Sequence, residues 1–582
     1  MISSSTAAPD LVTLFRERVA ATPGAEAVTY LADPEDPDGQ PVRWSYARLD
    51  REAGGRAAWL AGNLRPGSRV LLLHPNGLEF AAALFGCLYA GMIAVPGPLP
   101  GRHRHHRNRL AAIAGDSGAA AVLTTSADLA GVREWAADLP GPAIPVLAGN
   151  QPEFADPAGF QPVRLSRSTT AMLQYTSGST GEPKGVVLQH DHILFNAAAG
   201  TAALGWRGRA GGWLPLYHDM GISSQLLWPL LRGESSVLMT PAMFVRRPLH
   251  WLRMIDVHGI NVSFAPNFAF DLCVKKVRDE DAATVDLSRW DLAGCGSEPI
   301  DPRILDAFAA KFAAAGFRRE ALAPAYGMAE ATVYVCGRRG RPPQRLRADL
   351  DLLAGGVLTP AAGDRPAREV VSCGPPTDAC EVRVVDPESR QVLPAGRLGE
   401  IWLRGTSISA GYWRRDDPEV FRAVTADGDG GYLRTGDLGA LHAGELYVHG
   451  RLKEMIIVNG RNLYPQDIEQ ELRAQHPELG NAGVVFGVPA ALSGTGESVV
   501  VAHEVAGLPE ERLRALAARI RHTVGREFGV GVGTVALLRP GTVLRTTSGK
   551  VRRSAMRDLF RDGGLTSLYQ DPTTVLPVSA PA

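Results

Sequence analysis

Residues 175–185 read YTSGSTGEPKG, a stretch that combines small hydroxyl side chains, three glycines and one lysine. Glycine allows a backbone to curl until several N–H groups point to one centre, and the hydroxyl groups of Ser179 and Thr180 add further donors. Lys184 adds a positive charge near the end of the stretch. The sequence therefore predicts a loop that binds polyphosphate.

The two common phosphate-binding motifs do not match this loop. A Walker A motif requires a serine or threonine after its lysine, whereas Gly185 follows Lys184 and Val551 follows Lys550. A G-x-G-x-x-G motif after an early strand, which dinucleotide-binding domains carry, is also absent. These mismatches argue against a P-loop kinase and against a dehydrogenase.

The residues around the loop predict its place in the fold. The apolar run Ala171–Tyr175 precedes it and predicts a strand, and HDHILFNAAAG (190–200) behind it resembles the start of a helix. Phosphate-binding loops commonly lie between a strand and the N-terminus of a helix. We therefore expect a strand–loop–helix arrangement.

The wider pattern predicts an α/β fold. In the N-terminal part, strand-like runs such as RVLLLHP (69–75) alternate with helical patterns such as GLEFAAALFGCLYAG (77–91), as in a mostly parallel sheet covered by helices. After about Cys373 the pattern changes to short strands separated by turn residues, which predicts a β-rich subdomain. From about Glu454 onward, amphipathic helices and further strands predict a small α+β domain.

Composition excludes several classes of protein. The 582 residues hold 61 lysines and arginines and 61 aspartates and glutamates, so no basic field attracts nucleic acid. The basic run RHRHHRNR (102–109) lacks metal-ligand spacing and interleaved aromatic residues, so we interpret it as a solvated loop that leads into a helix. The longest uncharged run, Phe80–Val95, contains glycines and is shorter than the ~20 residues that a spanning helix needs. We expect a buried helix that leads into a strand there, and no membrane span.

The cysteines and the N-terminus predict a cytoplasmic protein. The six cysteines show neither the spacing of a zinc site nor that of a disulfide framework, which favours free thiols in a reducing compartment. The first residues lack the pattern of a secretory signal.

Four further motifs follow the loop. They are YGMAE (326–330), RTGD (434–437), GRLK (450–453) and TSGK (547–550). Together with YTSGSTGEPKG, they resemble the motifs of the adenylate-forming superfamily, which includes acyl-CoA synthetases, nonribosomal peptide adenylation domains and luciferases. The alternative for the loop alone, a Gly/Ser-rich surface turn, does not explain the other four motifs.

A second set of segments resembles one family within this superfamily, the fatty acyl-AMP ligases, which activate long-chain acids for polyketide and peptide assembly lines. These segments are WLPLYHDMGI (213–222), SFAPNFAFDLC (263–273), REALAPAYGMAEAT (319–332), VSCG (371–374) and GRNLYPQDIE (460–469).

The resemblance also implies a domain organisation. It implies a large N-terminal adenylation domain over residues 1–452, made of two α/β-layered subdomains and the β-rich subdomain, and a small mobile α+β domain over residues 453–565. Residues 566–582 are predicted to be a disordered tail. Residues from about 338 to 370 resemble the insertion that marks fatty acyl-AMP ligases and is thought to hinder the domain rearrangement used for acyl delivery to CoA; the alternative is a variable surface loop. Within it, RLRADLDLLA (345–354) is predicted to be an amphipathic helix.

ATP and Mg²⁺ are the cofactors that the resemblance implies. Residues 176–184 would hold the β- and γ-phosphates, and Gly296, Ser297 and Tyr326 would flank the adenine. Asp437 would accept hydrogen bonds from the ribose hydroxyls; the alternative is an ordinary aspartate in a tight turn. The full set of implied nucleotide-binding residues is Thr176, Ser177, Gly178, Ser179, Thr180, Gly181, Lys184, Gly296, Ser297, Glu298, Tyr326, Gly327, Met328, Asp437 and Arg451.

Three residues are implied to be catalytic. Lys550 would bridge the carboxylate and the α-phosphate, although its surroundings also fit the start of a basic helix. His218 would lie beside the acyl carboxylate, with a structural histidine as the alternative. Glu330 would hold Mg²⁺ together with Thr176, with a helix cap as the alternative. Lys453 matches the position of the hinge between the domains.

An acyl chain requires a continuous apolar lining. The candidates, each of which could equally belong to the core, are Met220, Ile222, Phe264, Phe268 and Phe270.

Three functions remain open at this point. The first is a fatty acyl-AMP ligase that passes its acyl group to the phosphopantetheine of a separate acyl carrier protein, since the chain shows no G-x-D-S attachment site. The second is an acyl-CoA or aryl-CoA synthetase, which the insertion disfavours. The third is a non-catalytic nucleotide- or carrier-binding scaffold, which the joint presence of Lys184, Glu330, Asp437 and Lys550 disfavours.

Overall fold

A computed structural model of the chain describes residues 8–32, 40–101, 104–149, 160–176, 183–458, 461–480, 482–489, 497–546 and 551–571. The strands of this part of the chain are β1 (Glu26–Tyr30), β2 (Val42–Ser45), β3 (Arg69–Leu73), β4 (Ile93–Gly97), β5 (Ala121–Thr124), β6 (Val146–Ala148), β7 (Thr170–Thr176), β8 (Lys184–Gln189), β9 (Ala210–Gly212), β10 (Ser236–Leu238), β11 (Val262–Ala265), β12 (Leu292–Cys295), β13 (Leu322–Tyr326), β14 (Cys336–Gly337), β15 (Arg345–Asp349), β16 (Ala367–Val371), β17 (Cys380–Val385), β18 (Gly399–Gly405), β19 (Leu433–His442), β20 (Glu445–Arg451), β21 (Ile456–Val458), β22 (Arg461–Leu463), β23 (Gly483–Pro489), β24 (Glu497–Glu504), β25 (Val532–Leu538) and β26 (Ser567–Gln570).

The α-helices of the same part are α1 (Leu11–Ala21), α2 (Tyr46–Asn63), α3 (Leu78–Tyr89), α4 (Arg104–Ser117), α5 (Leu129–Ala137), α6 (His190–Ala203), α7 (Asp219–Ile222), α8 (Trp228–Arg232), α9 (Pro241–Arg246), α10 (Leu249–Val257), α11 (Asn267–Lys276), α12 (Asp279–Ala282), α13 (Pro302–Lys311), α14 (Leu350–Ala354), α15 (Pro418–Phe421), α16 (Pro465–Gln475), α17 (Glu510–Phe528) and α18 (Arg553–Arg561). Short 3₁₀ turns cover Arg319–Ala321, Ala329–Ala331 and Leu452–Glu454, and a π-helical turn covers Ser223–Leu227.

Two large, mostly parallel sheets form the N-terminal part, which confirms the predicted α/β class. The six-stranded sheet has the order β6-β5-β3-β4-β7-β8, and its last pair is antiparallel. The eight-stranded sheet has the order β14-β13-β12-β11-β9-β10-β1-β2 and is antiparallel at its two outer pairs. Buried side chains of both sheets and of α1 to α3 belong to one hydrophobic core.

The uncharged run Phe80–Val95 forms the predicted buried helix and strand. It covers most of α3, whose side chains are nearly all buried, and then enters β4, which is buried throughout. No helix in the described ranges combines the length and the apolar character needed to cross a membrane. All six cysteines are buried and free of disulfides, as predicted.

The β-rich subdomain is the antiparallel sheet β17-β18-β19-β20. The insertion packs on it as a hairpin of β15 and β16, so the prediction of a helix over residues 345–354 is wrong for its first half. The helix α14 begins only after Asp349, whose carboxylate accepts hydrogen bonds from two N–H groups of its first turn. The strand forms because Arg345–Asp349 pair with β16, while Ala348 and Leu353 pack against Tyr447 of β20.

The C-terminal part forms its own sheet, β23-β24-β25-β26, and a core that includes side chains of α16 and α17. This matches the predicted small α+β unit. The prediction of a disordered tail from residue 566 is wrong for Ser567–Gln570, which pair with β25. The free edge of β25 provides these backbone hydrogen bonds, and Asp571 forms an ion pair with Arg521 at 2.6 Å. Residues 572–582 lie outside the described residues.

Candidate active site

The predicted phosphate loop connects two strands. β7 ends at Thr176, β8 begins at Lys184, and these two residues are paired across the hairpin. The expected strand–loop–helix arrangement is therefore wrong, because the β-branched run in KGVVLQ pairs with β7 before α6 begins at His190. The loop residues that lie outside the described part of the chain are Ser177, Gly178, Ser179, Thr180 and Gly181.

The base of the hairpin is tightly packed. Tyr175 is buried, and its hydroxyl donates to Asp116 at 2.5 Å. A Cβ atom at Gly185 would lie 2.9 Å from the Tyr175 ring, so the glycine lets the ring cover the hairpin. Thr176 and Lys184 are thereby held at fixed positions at the mouth of the loop.

Arg109 is a neighbour of the loop that the sequence analysis missed. It lies on α4, and its guanidinium donates to the carbonyl oxygen of Thr176 at 3.3 Å. Burial and the nearby Arg552 lower the pKa of Arg109. The interpretation of residues 102–109 as a solvated loop is wrong for residues 104–109, which belong to α4; residues 102 and 103 lie outside the described residues. An arginine in a basic run carries no local signal that it will be partly buried.

A segment at residues 407–413 connects the hairpin to Glu330. On one side, the N–H group of Trp413 donates to the carbonyl oxygen of Gly185 at 2.7 Å. On the other side, the N–H group of Ser409 donates to the carbonyl oxygen of Glu330 at 2.8 Å. The phosphate hairpin and the 3₁₀ turn that carries Glu330 are therefore fixed to the same piece of backbone.

Tyr412 of this segment contacts the side chains of both Glu330 and Lys184. Its hydroxyl donates to Glu330 Oε1 at 2.8 Å, and Lys184 Nζ lies 4.8 Å from the centre of its ring. A cation over an aromatic face is attracted by the ring. The sequence analysis did not identify Tyr412, since it is 82 positions from Glu330 and belongs to none of the motifs.

The carboxylate of Glu330 suits a magnesium ion. Glu330 is 8% exposed, and burial raises its pKa while the bond from Tyr412 acts in the opposite direction. Carboxylate and hydroxyl oxygens, as in Glu330 and Thr176, are the ligands that Mg²⁺ prefers, and the ion usually completes its shell with phosphate oxygens and water. Groups of three or more His, Cys, Asp or Glu that could hold a metal by themselves are absent from the described residues, and a phosphate-bound Mg²⁺ needs none.

Asp437 lies between Tyr326 and Arg451. The Tyr326 hydroxyl donates to Asp437 Oδ2 at 2.8 Å, and Arg451 Nε lies 2.9 Å from Asp437 Oδ1. Asp437 and Arg451 face each other across β19 and β20, which fixes their contact. Burial and Asp437 raise the pKa of Tyr326, so its hydroxyl stays a donor at neutral pH. Three of the predicted nucleotide-binding residues thus form one cluster.

The predicted adenine-side residues follow the ends of β12 and β13. A Cβ atom at Gly296 would lie 2.8 Å from the carbonyl oxygen of Ala325, and one at Gly327 would lie 1.6 Å from that of Val333. Both positions therefore require glycine. Ser297 adopts a left-handed conformation with φ of 69°, which turns the chain sharply after β12.

The turn after β12 also contacts two of the predicted acyl-pocket residues. Ser297 Oγ lies 3.6 Å from Met220 Sδ, and Glu298 Oε1 accepts a hydrogen bond of 2.5 Å from the N–H group of Phe268. The Tyr326 hydroxyl lies 3.9 Å from the sulfur of Met328.

His218 immediately precedes α7 and contacts its first residue. His218 Nδ1 lies 2.5 Å from Asp219 Oδ1, and both side chains are partly buried. Asp219 and Arg451 are close enough to Glu330 to act on the pKa of its carboxyl. The structure therefore brings His218, Glu330 and Arg451 into one region.

The acyl-pocket candidates differ in their surroundings. Phe270 is fully buried, and its ring lies 5.6 Å from Trp251 and 5.1 Å from Phe308, which favours the core alternative. Ile222 is also fully buried, and Phe264 stacks on Trp206 with ring centres 6.0 Å apart. Met220 and Phe268, by contrast, contact the turn after β12.

Two predicted residues belong to the C-terminal region. Lys550 lies outside the described residues, although Arg552, two positions later, is near Arg109. Lys453 is exposed on the 3₁₀ turn Leu452–Glu454, and Glu454 of that turn forms an ion pair of 3.0 Å with Arg553 at the start of α18.

Comparison with known proteins identifies the family of the chain. Residues 15–413 match the model of the AMP-binding enzyme family. The chain is 37% identical to a medium-chain-fatty-acid–[acyl-carrier-protein] ligase of Moorena producens, with 90% of each chain covered. It is 35% identical to a long-chain-fatty-acid–AMP ligase of Mycobacterium bovis, covering 95% of this chain and 98% of that protein.

A solved structure shares the whole fold. The fatty acyl-adenylate ligase of L. pneumophila in complex with acyl adenylate and pyrophosphate is 32% identical, with a TM-score of 0.75 over 97% of this chain and 98% of that chain. The chain therefore belongs to the AMP-binding enzyme family, in the group of the fatty acyl-AMP ligases.

Proposed function

We propose that the chain joins a fatty or related carboxylic acid to AMP, using ATP and releasing pyrophosphate, and then transfers the acyl group to the phosphopantetheine thiol of a separate acyl carrier protein. The observation that supports this most strongly is the convergence of Lys184, Glu330 and the Asp437–Arg451 pair in one site. One side of that site offers positive charge for phosphates, and the other offers a carboxylate that can accept hydrogen bonds from ribose hydroxyls.

The first step is the formation of the acyl-adenylate. A carboxylate oxygen of the acid forms a bond to the α-phosphorus of ATP, and the bond from this phosphorus to the bridging oxygen breaks, so pyrophosphate leaves with the electron pair. Both reactants are anions, so the site must align them and offset their charge. Lys184 and Arg109 lie at the loop, and Lys550 would bring a third cation to the α-phosphate. Mg²⁺, when held by Glu330 and Thr176, would neutralise charge on the phosphates.

The second step is the transfer to the carrier. The thiol releases its proton to solvent, and its sulfur forms a bond to the acyl carbonyl carbon. The bond from this carbon to the phosphate oxygen breaks, and AMP leaves with the electron pair. Residues 1–452 would then act as the adenylation domain and residues 453–565 as the domain that moves between the two steps. Lys453 is our candidate for the hinge, because it lies on a short turn at the boundary of the two domains and its side chain is exposed.

The acid would enter next to His218. The contact with Asp219 would hold the imidazole ring in one orientation beside the acid carboxylate. The acyl chain would then pass Met220 and Phe268, which contact the same turn as the nucleotide, and continue towards Ile222 and Phe264.

An acyl-CoA or aryl-CoA synthetase is the second candidate, since it shares the first step. The insertion argues against it because Arg345 forms a two-bond contact with Asp306, and Arg368 contacts Asp467 and Gln470 of the C-terminal part. Such contacts would hinder the rotation that delivers acyl groups to CoA. We also propose a cytoplasmic location, on the basis of the free cysteines.

A product assay tests this proposal. The protein is incubated with ATP, Mg²⁺ and a panel of carboxylic acids, alone, with CoA or with a phosphopantetheinylated carrier protein, and products are identified by mass spectrometry. We expect acyl-adenylate to accumulate even with CoA present and to be consumed when the carrier is added. Efficient acyl-CoA formation would instead show that the protein is a synthetase. ATP binding without any acyl product would show that it is a non-catalytic scaffold.

The same assay tests Lys550. We expect Lys550→Ala to slow acyl-adenylate formation about 10²–10³-fold while ATP still binds, because the lost cation acts on the transition state. Lys276→Ala, which removes an exposed lysine of α11, is the control and should leave the rate unchanged. If the two variants formed acyl-adenylate at equal rates, Lys550 would have no catalytic role.

A further inference from the structure

The cation and the carboxylate of the phosphate site are separated by one tyrosine. The Tyr412 ring faces Lys184 Nζ at 4.8 Å, and the hydroxyl at the far end of the same ring donates to Glu330 Oε1 at 2.8 Å. Among the described residues, Lys184 forms no ion pair with a carboxylate. Without the ring between them, the lysine and the buried glutamate would gain from direct contact, since an unpaired buried charge is costly.

We propose that Tyr412 is a positioning residue that holds Lys184 and Glu330 apart, so that Lys184 stays available to phosphate and Glu330 to Mg²⁺. The aromatic face attracts the ammonium without neutralising it. The hydroxyl orients one carboxylate oxygen and leaves the other oxygen to face the ion. This inference rests on the proposed function for the identity of the ligand, MgATP.

The backbone around Tyr412 is built to hold this position. The segment is bonded to the phosphate hairpin on both sides of Tyr412: the N–H group of Val187 donates to the carbonyl oxygen of Gly411 at 2.9 Å, and the N–H group of Trp413 donates to the carbonyl oxygen of Gly185 at 2.7 Å. The Tyr412 ring also meets the Phe421 ring edge to face, with centres 4.9 Å apart. The ring therefore has little freedom to turn away from either partner.

The chain offers a matched control. Tyr412 is partly buried and Tyr432 is fully buried, and the Tyr432 hydroxyl lies within hydrogen-bond distance of the carboxylates of Asp429 and Glu381, at 2.9 and 3.0 Å. Arg404 lies over its ring at 4.3 Å from the centre. Tyr432 thus has the same kinds of contact in the β-rich subdomain, away from the phosphate hairpin.

The test compares Tyr412→Phe, Tyr412→Leu and Tyr432→Phe with the wild type. ATP affinity is measured by calorimetric titration without acid, once with Mg²⁺ and once with a chelator, and the melting temperature is recorded. We expect Tyr412→Phe to weaken ATP binding about tenfold with Mg²⁺ and to leave it unchanged with the chelator, because only the hydrogen bond to Glu330 is lost. Tyr412→Leu should weaken binding under both conditions, because Lys184 then collapses onto Glu330.

The control separates positioning from general stability. Tyr432→Phe should lower the melting temperature as much as Tyr412→Phe does and leave both ATP affinities as in the wild type. The proposal would be overturned if Tyr412→Phe bound ATP as tightly as the wild type with Mg²⁺ present. It would also be overturned if this variant lost the same amount of ATP affinity with and without Mg²⁺. Because no acid is present, the result is independent of whether the wild type forms acyl-adenylate in the product assay.

Discussion

The two carboxylate oxygens of Asp437 contact two different parts of the chain. One carboxylate oxygen accepts from Tyr326, which lies 111 positions earlier, and the other contacts Arg451 on the neighbouring strand. An ionised carboxylate has further lone pairs, so two ribose hydroxyls can still donate to it. The two protein contacts fix the direction in which these lone pairs point.

We expect Asp437→Asn to raise the KM for ATP about tenfold or more, with a smaller change in kcat, because the amide offers one acceptor in place of two and leaves Arg451 without its partner. Steady-state pyrophosphate release measures both constants. Asp429→Asn is the matched control, because Asp429 also lies between a tyrosine, Tyr432, and an arginine, Arg404. Equal KM values for the two variants would contradict the role of Asp437 in nucleotide binding.

At the scale of elements, the insertion is a hairpin fixed at both ends of its strands. Both oxygens of Asp306 on α13 accept from Arg345 at 2.6 Å, and this contact lowers the pKa of Asp306. Arg368 on the partner strand donates to Gln470 of α16 at 2.7 Å. The hairpin therefore connects α13 to the first helix of the C-terminal part.

We expect the double variant Arg345→Ala/Arg368→Ala to increase acyl-CoA formation about fivefold or more, because it releases α16 from the hairpin and allows the C-terminal part to rotate. Mass spectrometry of products with CoA present measures this change. Arg347→Ala is the control, since within the described ranges Arg347 donates only to carbonyl oxygens of the insertion itself, at Gly363 and Arg365. A double variant that forms no more acyl-CoA than this control would show that the contacts do not limit rotation.

At the scale of the whole molecule, buried histidines couple stability to pH. Burial lowers the pKa of His74 to about 3 and those of His190 and His503 to about 4. In the unfolded chain these rings take up protons below pH ~6.5, whereas in the folded chain they stay neutral until about pH 4. Their contribution to stability is therefore complete above pH ~6.5 and is lost as the pH falls towards 4.

We expect the melting temperature to fall between pH 7.5 and 5.0, and to fall less in His190→Gln than in the wild type. His190 Nδ1 accepts from the N–H group of Leu11 at 3.2 Å, and glutamine retains an acceptor but cannot take up a proton. One such histidine changes the free energy of unfolding by at most about 1.4 kcal/mol per pH unit. Scanning calorimetry at the two pH values measures the difference. His522→Gln, at an exposed position, should match the wild type, and a similar result for His190→Gln would show that His190 is protonated in the folded state.

The sequence by itself determined the class of fold, the buried helix and strand at residues 80–95, the free cysteines and the family motifs. Each of these depends on local periodicity or on residues within one short stretch, which the order of amino acids specifies directly. The insertion as a separate feature was also visible, but its hairpin was not, because RLRAD carries no strong preference until β16 pairs with it.

Only the tertiary structure decided the position of Tyr412, the burial of Arg109, the strand after the phosphate loop and the strand at Ser567–Gln570. Three of them depend on a partner that lies far away in the chain: β8 receives Tyr412, α4 brings Arg109 to Thr176, and β25 pairs with β26. The fourth, β8 itself, depends on its pairing with β7 across the loop. Long-range pairing is fixed by how the sheets and helices pack against one another, and no local pattern records it.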